Sequence, residues 1–162
     1  MAASLYRSFV GFDWIELEEK AMQSPRLRAH FNLHQSYEEP VQKTLIYILK
    51  SSYIPPHFHR HAHQKELFLV LAGQVKVLFF EQDGSVKDIA VLGLGEMIEI
   101  FPCSIHTVVC LSESAKILEV KRGPFIASDC KEFLDWTVPE TSSEARNYCK
   151  WLETAEIGQT YE

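Results

Sequence analysis

The stretch His57-Phe-His59-Arg-His61-Ala-His63 is the chemical anomaly of this sequence, because it holds four of the seven histidines of the chain. Residues two apart on a β-strand point to the same side. A His-x-His pair on a strand therefore directs two imidazoles into one space. A lone histidine would be an ordinary surface side chain, but four together predict a site.

Residues downstream of this stretch extend the pattern. Glu66 opens the next apolar run and is separated by six residues from Gly73, and Gly95 precedes His106 by eleven positions. Three imidazoles and one carboxylate on adjacent strands form a mixed nitrogen and oxygen site. Such a site suits a divalent first-row metal and leaves positions for water or substrate.

Around the histidines the chain consists of short apolar runs separated by turn signals. Asp83-Gly84 is a tight-hairpin signal, since glycine tolerates a positive φ. Seven runs without intervening helices predict an antiparallel sandwich or barrel between about residues 41 and 121 rather than a parallel βαβ sheet. The predicted strands cover residues 44–49, 67–71, 74–80, 86–92, 96–101, 107–111 and 116–120.

Helical patterns flank this β region on both sides. Over residues 13–24, Asp13 stands at the N-cap, Glu16 at the capping-box position, and Pro25 just past the end. Over residues 142–154, apolar side chains recur at helical spacing behind Ser142 or Ser143. With no linker or repeat, residues 1–162 are expected to form one domain with a short helix at each end.

Composition limits the function classes. The 162 residues carry a formal charge of −6, with 46% hydrophobic and 23% charged residues. This balance is typical of a globular protein and argues against a nucleic-acid binder, which needs a basic surface. We expect no membrane insertion, because no apolar run approaches the ~20 residues that cross a bilayer. Without a leader pattern, and with four cysteines that form no Cys-x-x-Cys pair, a cytoplasmic protein is expected.

The spacing His59-x-His61-(x4)-Glu66-(x6)-Gly73, followed by Gly95-(x10)-His106, resembles the two metal-binding motifs of the cupin superfamily. Cupins are double-stranded β-helix, or jelly-roll, proteins. The resemblance therefore implies an all-β cupin jelly roll with short N- and C-terminal helices.

Flanking segments resemble more narrowly the WbuC-type cupin-fold metalloproteins, from about residue 13 to residue 140. That family is named from lipopolysaccharide O-antigen gene clusters. The resemblance implies a metal-binding cupin in bacterial surface-polysaccharide metabolism, without an established reaction. The segments are Ser24-Pro-Arg-Leu-Arg28, Asn32-Leu-His34, Tyr37-Glu-Glu-Pro-Val-Gln42, Ser52-Tyr53 with Pro56-His57-Phe-His59, and Glu119-Val-Lys-Arg-Gly-Pro124.

Two registers fit the first motif. Anchoring on Ser52-Tyr53 and Pro56 selects His57 and His59 and leaves a six-residue loop, 60–65, before Glu66. Counting four residues back from Glu66 selects His59 and His61 instead. We favour the first register, because an insertion is easier to place in a turn than within a strand. Pro102 is also unusual, since it precedes the final histidine of the second motif by four residues rather than five.

The predicted ligands are therefore His57, His59, Glu66 and His106, with His61 in reserve. They would hold one divalent transition metal, Zn, Fe, Mn or Ni, and no other cofactor is expected. An uncoordinated histidine such as His34 is the candidate catalytic base.

Other polar residues have two open interpretations each. Asn32 and His34 line the pocket or belong to a polar edge strand. Arg26 and Arg28 bind an anionic substrate such as a sugar nucleotide, or they are structural. Glu119 and Lys121 share one strand face, and the sequence leaves open whether that face is interior.

The favoured function is a metal-dependent enzyme that isomerises or epimerises a sugar or sugar derivative. With Fe(II), dioxygenase chemistry is the alternative, and so is a binding protein for a small ligand without turnover. A homodimer is expected, because an open β-sandwich leaves edge strands that pairing protects.

Overall fold

The structure is a computed structural model that describes residues 5–162, so the first four residues of the predicted domain lie outside it. Eight strands lie between two helices, α1 (Trp14–Gln23) and α2 (Ala145–Thr154), with a 3-10 turn at Ala127–Asp129. The strands are β1 (Arg28–Asn32), β2 (Val41–Leu49), β3 (Glu66–Ala72), β4 (Val75–Phe80), β5 (Val86–Leu92), β6 (Met97–Ile100), β7 (Ile105–Cys110) and β8 (Ser114–Arg122).

The strands form two antiparallel sheets, in the orders β1-β2-β8-β3-β6 and β5-β4-β7. This arrangement confirms the predicted all-β fold class, and all seven predicted strands are present. The β region begins at Arg28 rather than near residue 41, because β1 adds a strand to the edge of the larger sheet. Its inward residues, Arg28, His30 and Asn32, are polar, so β1 lacks the apolar alternation that identifies a strand in sequence.

The two sheets and two helices stack in four layers. The main core lies between the sheets, where Ile48, Val70 and Val77 are fully buried. Leu17 and Ala21 of α1 cover the outer face of the larger sheet. Tyr148 and Leu152 of α2 cover the outer face of the smaller one, so β4 is buried on both faces. Neither helix, within the part of the chain described, is long and apolar enough to cross a membrane.

Both helices begin close to their predicted positions. Asp13 caps α1, its Oδ1 accepting hydrogen bonds from the backbone N–H groups of Ile15 (2.9 Å) and Glu16 (3.2 Å). The Glu16 side chain pairs with Lys20 at 2.6 Å instead of completing a capping box. Helix α2 starts three residues later than predicted, because residues 142–145 form a turn in which Ser142 Oγ accepts from the Glu144 N–H.

A buried lysine attaches α2 to the sheet. Lys76 projects outward from β4, and its Nζ donates hydrogen bonds to the carbonyls of Leu152 (3.1 Å), Glu153 (3.2 Å) and Ala155 (2.7 Å). The carbonyls at a helix C-terminus lack partners within the helix, and a cation there also complements the helix dipole. Burial lowers the pKa of Lys76.

The space between the sheets is apolar at one end and polar at the other. Strand pairing aligns Glu66 of β3 with Lys121 of β8, and Thr44 of β2 with Glu119. Since side chains alternate along each strand, these residues face the interior beyond the last apolar layer. The sandwich thus has a polar end, and the candidate site lies there.

Gly73 lies between β3 and β4, at a position where the fold leaves no space for a side chain. Its φ is +75°, and a Cβ at this position would lie 2.2 Å from the Ser114 carbonyl oxygen. We expect Gly73→Ala to lower the free energy of unfolding by about 3 kcal/mol, because left-handed strain costs roughly 1–2 kcal/mol and overpacking about 1–3 kcal/mol more. Urea denaturation measures the change.

Gly95→Ala is the matched control for that measurement. Gly95 also has a positive φ, +81°, but a Cβ there would meet no atom within 4 Å. The control should therefore lose only the conformational term, about 1–2 kcal/mol. Equal losses in both variants would contradict the steric explanation.

Candidate metal centre

Four side chains that the sequence predicts as metal ligands meet at the polar end of the sandwich. His57 and His59 lie on the segment between β2 and β3, Glu66 begins β3, and His106 is the second residue of β7. All four are buried, and their candidate ligand atoms lie within 4.8 Å of one another. Among the side chains that the structure describes, no other group of three or more ligating side chains has this proximity.

Backbone pairing places the two segments side by side. The His57 N–H donates to the His106 carbonyl at 3.0 Å, and the His106 N–H donates to the His57 carbonyl at 2.9 Å. The next residue, Phe58, exchanges the same pair of bonds with Glu132, each at 3.0 Å. Phe58 consequently faces the opposite side, which leaves both histidines directed inward.

The loop and the turn next to this pair explain the two departures from the motif. Residues 60–65 form a loop in which the His61 and His63 rings stack with centroids 5.6 Å apart, and neither ring joins the group of four. The turn at Pro102 brings the Cys103 N–H to the His59 carbonyl at 2.8 Å, with Cys103 at a φ of +64°. The shifted proline thus accompanies a turn that contacts the first motif.

Each of the three imidazoles is oriented by a backbone carbonyl. The Nδ1 atom of His57 lies 2.9 Å from the Pro55 oxygen, that of His106 lies 2.9 Å from the Ser104 oxygen, and that of His59 contacts the Cys130 oxygen. A carbonyl oxygen only accepts hydrogen bonds, so each Nδ1 carries the proton. In a neutral ring of this tautomer, Nε2 carries no proton and is the atom that can coordinate a metal.

The donor atoms fit a divalent cation. Glu66 Oε2 lies 3.0 Å from His59 Nε2 and 3.2 Å from His106 Nε2, yet neither His59 Nε2 nor Glu66 Oε2 forms a well-directed hydrogen bond. Ligands about 2.0–2.1 Å from one ion are separated by roughly 3.0–3.4 Å. Unprotonated imidazoles and a carboxylate at this spacing repel one another unless a cation lies among them.

The charge state of Glu66 agrees with this assignment. In the metal-free site, burial raises the pKa of Glu66, whereas its contacts with the His106 and His59 rings, which stabilise the anion when Nε2 carries a proton, and with the Lys121 ammonium hold that pKa well below its usual range. Burial lowers the pKa of His57 well below its usual value, so this ring is neutral. An anionic carboxylate and neutral imidazoles are the protonation states that metal binding requires.

Glu119 and Lys121 face the interior of the sandwich, a point that the sequence had left open. Lys121 Nζ bridges Glu119 Oε1 at 3.2 Å and Glu66 Oε1 at 3.3 Å. Burial lowers the pKa of Lys121, but the two carboxylates outweigh burial and raise it. Burial also raises the pKa of Glu119. Lys121 therefore fixes the orientation of the Glu66 carboxylate from the side opposite the imidazoles.

Arg26 and Arg28 differ in their environment. Arg28 is buried and fully engaged, since it donates to the carbonyls of Arg26 and Tyr53, to Ser52 Oγ, and to Glu140 Oε1 at 2.8 Å. Arg26 is half-exposed and contacts the same Glu140 oxygen through Nε at 3.2 Å. Arg28 is thus structural, whereas the terminal nitrogens of Arg26 face solvent.

Asn32 is the last residue of β1 and His34 lies two residues after it, and neither belongs to the group of four ligands. The His34 Nδ1 lies 2.9–3.0 Å from the backbone oxygen and nitrogen of Lys43, and Asn32 contacts Thr44 and Tyr37. Neither residue lines the cavity that reaches His57, Glu66 and His106. The predicted catalytic role of His34 stays a prediction, without support from its position.

Two residues that sequence reasoning did not select, His30 and Lys131, line that cavity. The cavity has a volume of about 70 Å³ and adjoins an outer one of about 410 Å³, with which it shares Arg26, Arg28, Ile54 and Lys131. The alternation of Arg28, His30 and Asn32 was a signal for His30. Nothing local marks Lys131, which arrives on the loop after β8.

One protein-family model matches the N-terminal half of the chain. A model described as "Domain of unknown function (DUF6016)" matches residues 13–92, slightly less than half of the chain. No curated protein matches the sequence significantly.

Solved structures are similar in fold at low sequence identity. DMSP lyase DddQ from Ruegeria pomeroyi is 17% identical with a TM-score of 0.52, over 65% of this chain and 51% of that one. A variant of oxalate decarboxylase from B. subtilis is 17% identical with a TM-score of 0.52, over 66% of this chain and 28% of that one. The fold is a cupin jelly roll. A cupin superfamily protein from Desulfitobacterium hafniense is also 17% identical, with a TM-score of 0.43, over 59% of this chain and 76% of that one.

The pKa of His30 predicts how the stability of the protein depends on pH. Desolvation of its ring, followed by the charges of Arg28, Arg26, Lys131 and Lys121, lowers its pKa from 6.5 to about 4. Between these values the unfolded chain binds a proton at this residue and the folded chain does not. We therefore expect the stability of the metal-free protein to fall from pH 6.5 towards pH 4, and to fall less steeply in His30→Gln.

Urea unfolding midpoints at several pH values in this interval measure that difference. His63→Gln is the control, because its ring stacks on His61 in the loop outside the inner cavity. An unchanged pH dependence in His30→Gln, or an equal change in His63→Gln, would contradict the lowered pKa of His30.

Proposed function

We propose that this cupin binds one divalent transition metal, Zn, Fe, Mn or Ni, through His57, His59, Glu66 and His106. The observation that carries the proposal is the orientation of the three imidazoles. The Nδ1 of each ring lies against a backbone carbonyl, so its Nε2 is left for the buried group of ligand atoms that includes the Glu66 carboxylate. Outer hydrogen bonds of this kind characterise metal-binding histidines.

We further propose an enzyme that moves a proton on a small sugar or sugar derivative. A bound divalent metal supplies Lewis-acid polarisation of a carbonyl or hydroxyl oxygen. His30 lines the same cavity as His57, Glu66 and His106 and is neutral near pH 7, so its ring can accept the proton. Lys121 holds the Glu66 carboxylate in place.

The biological setting is part of the same proposal. The WbuC-type motifs favour bacterial surface-polysaccharide metabolism in the cytoplasm. All four cysteines are free, which suits a reducing compartment. The expected homodimer has a candidate contact at β1, the edge strand of the larger sheet, where Phe31 is exposed. Sedimentation at micromolar concentration measures the dimer, and an 18.7 kDa monomer would exclude it.

Metal content of purified variants tests the ligand assignment. We expect His57→Ala, His59→Ala and His106→Ala to lose nearly all bound metal, because the remaining ligands must complete the shell with water. His61→Ala and His63→Ala should retain it. Elemental analysis gives the stoichiometry, and circular dichroism verifies that each variant is folded.

The same set distinguishes the alternatives. Loss of metal in His61→Ala with retention in His57→Ala would transfer the site to the other histidine pair. Full occupancy in His59→Ala or His106→Ala would end the metal-site proposal. Lys121→Met removes only the group that orients Glu66, so a smaller loss, roughly 10–100-fold in affinity, is expected.

Turnover separates an enzyme from a binding protein. Metal-loaded protein is incubated in D₂O with sugars and sugar nucleotides, and mass spectrometry measures deuterium incorporation at carbon. We expect metal-dependent incorporation that His30→Gln strongly reduces and His63→Gln leaves unchanged. Saturable binding without incorporation or product would indicate a binding protein, and oxygen consumption by the Fe(II) form would indicate a dioxygenase.

A further inference from the structure

The four candidate metal ligands, His57, His59, Glu66 and His106, are called the metal group below. The cavities beside them contain an ammonium group that has no hydrogen-bond or ion-pair partner among the described residues. Lys131 lines both the inner and the outer cavity. Its Nζ makes no hydrogen bond or ion pair with any residue in the described part of the chain, whereas Lys121 bridges two carboxylates. Desolvation by the surrounding residues lowers the pKa of Lys131, although the side chain keeps an exposed surface that a ligand can reach from solvent.

Positive charge accumulates at this point of an acidic protein. Among the described side chains, Arg26, Arg28 and Lys131 line the outer cavity with one carboxylate, Glu140, which contacts both arginines through the same oxygen. The outer cavity therefore carries an excess of about two positive charges, in a chain of net charge −6. Further in, Lys121 is already balanced by Glu119.

The surroundings increase the effect of this charge. The remaining wall of the outer cavity is mostly apolar and includes Ile54, Pro55, Phe133 and Leu134. A cleft with one sign of charge and low-dielectric walls focuses the field and concentrates ions of opposite sign. Arg28 is fully engaged by the protein, so the groups that remain to receive an anion are Lys131 and the terminal nitrogens of Arg26.

We propose that the ligand of this protein carries an anionic group, a carboxylate or a phosphate, that Lys131 and Arg26 bind in the outer cavity. The rest of the ligand then extends through the inner cavity toward His57, Glu66 and His106. This inference rests on the proposed function for the chemistry at the inner end. The anion site itself is built only from residues outside the metal group.

Three hexose probes of different charge test the proposal. Isothermal titration calorimetry compares glucose, glucuronate and glucose 1-phosphate, with both metal-loaded and metal-free protein. We expect at least one anionic probe to bind tenfold or more tightly than glucose, and the tighter of the two identifies carboxylate or phosphate as the preferred anion. Equal affinities for all three probes, or no measurable binding of either anion, would overturn the proposal.

Variants assign the binding to Lys131. Lys131→Met, which keeps the length of the side chain and removes its charge, should lose tenfold or more of the anion affinity. Lys150→Met, which removes an exposed charge from α2, should keep it. Retained affinity in Lys131→Met, or equal loss in Lys150→Met, would refute the site. Unfolding curves of both variants verify that the fold is intact.

The metal-free arm separates this inference from the proposed function. Binding of an anion that depends on Lys131 in protein that holds no metal would support the anion site even where the metal proposal fails. Conversely, normal metal content with no charge preference among the probes would leave the metal proposal in place and end this one.

Discussion

The paired backbone hydrogen bonds between His57 and His106 are the constraint on which the site depends. They attach the segment before β3 to β7, which belongs to the opposite sheet. Two histidines from distant parts of the chain thereby become neighbours, and the alternation at Phe58 directs His59 to the same side. The three Nδ1–carbonyl contacts then fix the rings, so the Nε2 atoms are placed by the backbone rather than by flexible side chains.

This rigidity is achieved at the polar end of an otherwise apolar sandwich. Burying Glu66 and Lys121 without partners would be costly. The structure offsets this cost by linking them to each other and Lys121 to Glu119. Two lysines lie next to the metal group. Lys121 is paired with Glu66 and Glu119, whereas Lys131, which also lines the outer cavity, has no ion-pair partner among the described residues. A buried anionic carboxylate and an outer cationic cavity thus occupy successive depths of one passage.

The sequence predicted those structural features that depend on contacts between residues close together in the chain. The capping residue Asp13 and the hairpin at Gly84 act within a few residues, so both could be predicted. Strand β1 was missed because its interior face is polar. The start of α2 was misplaced, because Ser142 forms a turn before the helix instead of its cap.

The sequence by itself predicted an antiparallel sandwich or barrel, the helical flanks and the chemical type of the site, because apolar periodicity and His-x-His spacing are local properties. The resemblance to the cupin motifs narrowed the fold class to a jelly roll. It indicated four ligands but left two histidine pairs open. Only the tertiary structure decided which rings converge, since that depends on the pairing of His57 with a strand almost fifty residues away. It alone placed Lys131 beside the site and separated His34 from it, because residues distant in the chain become neighbours only through sheet packing.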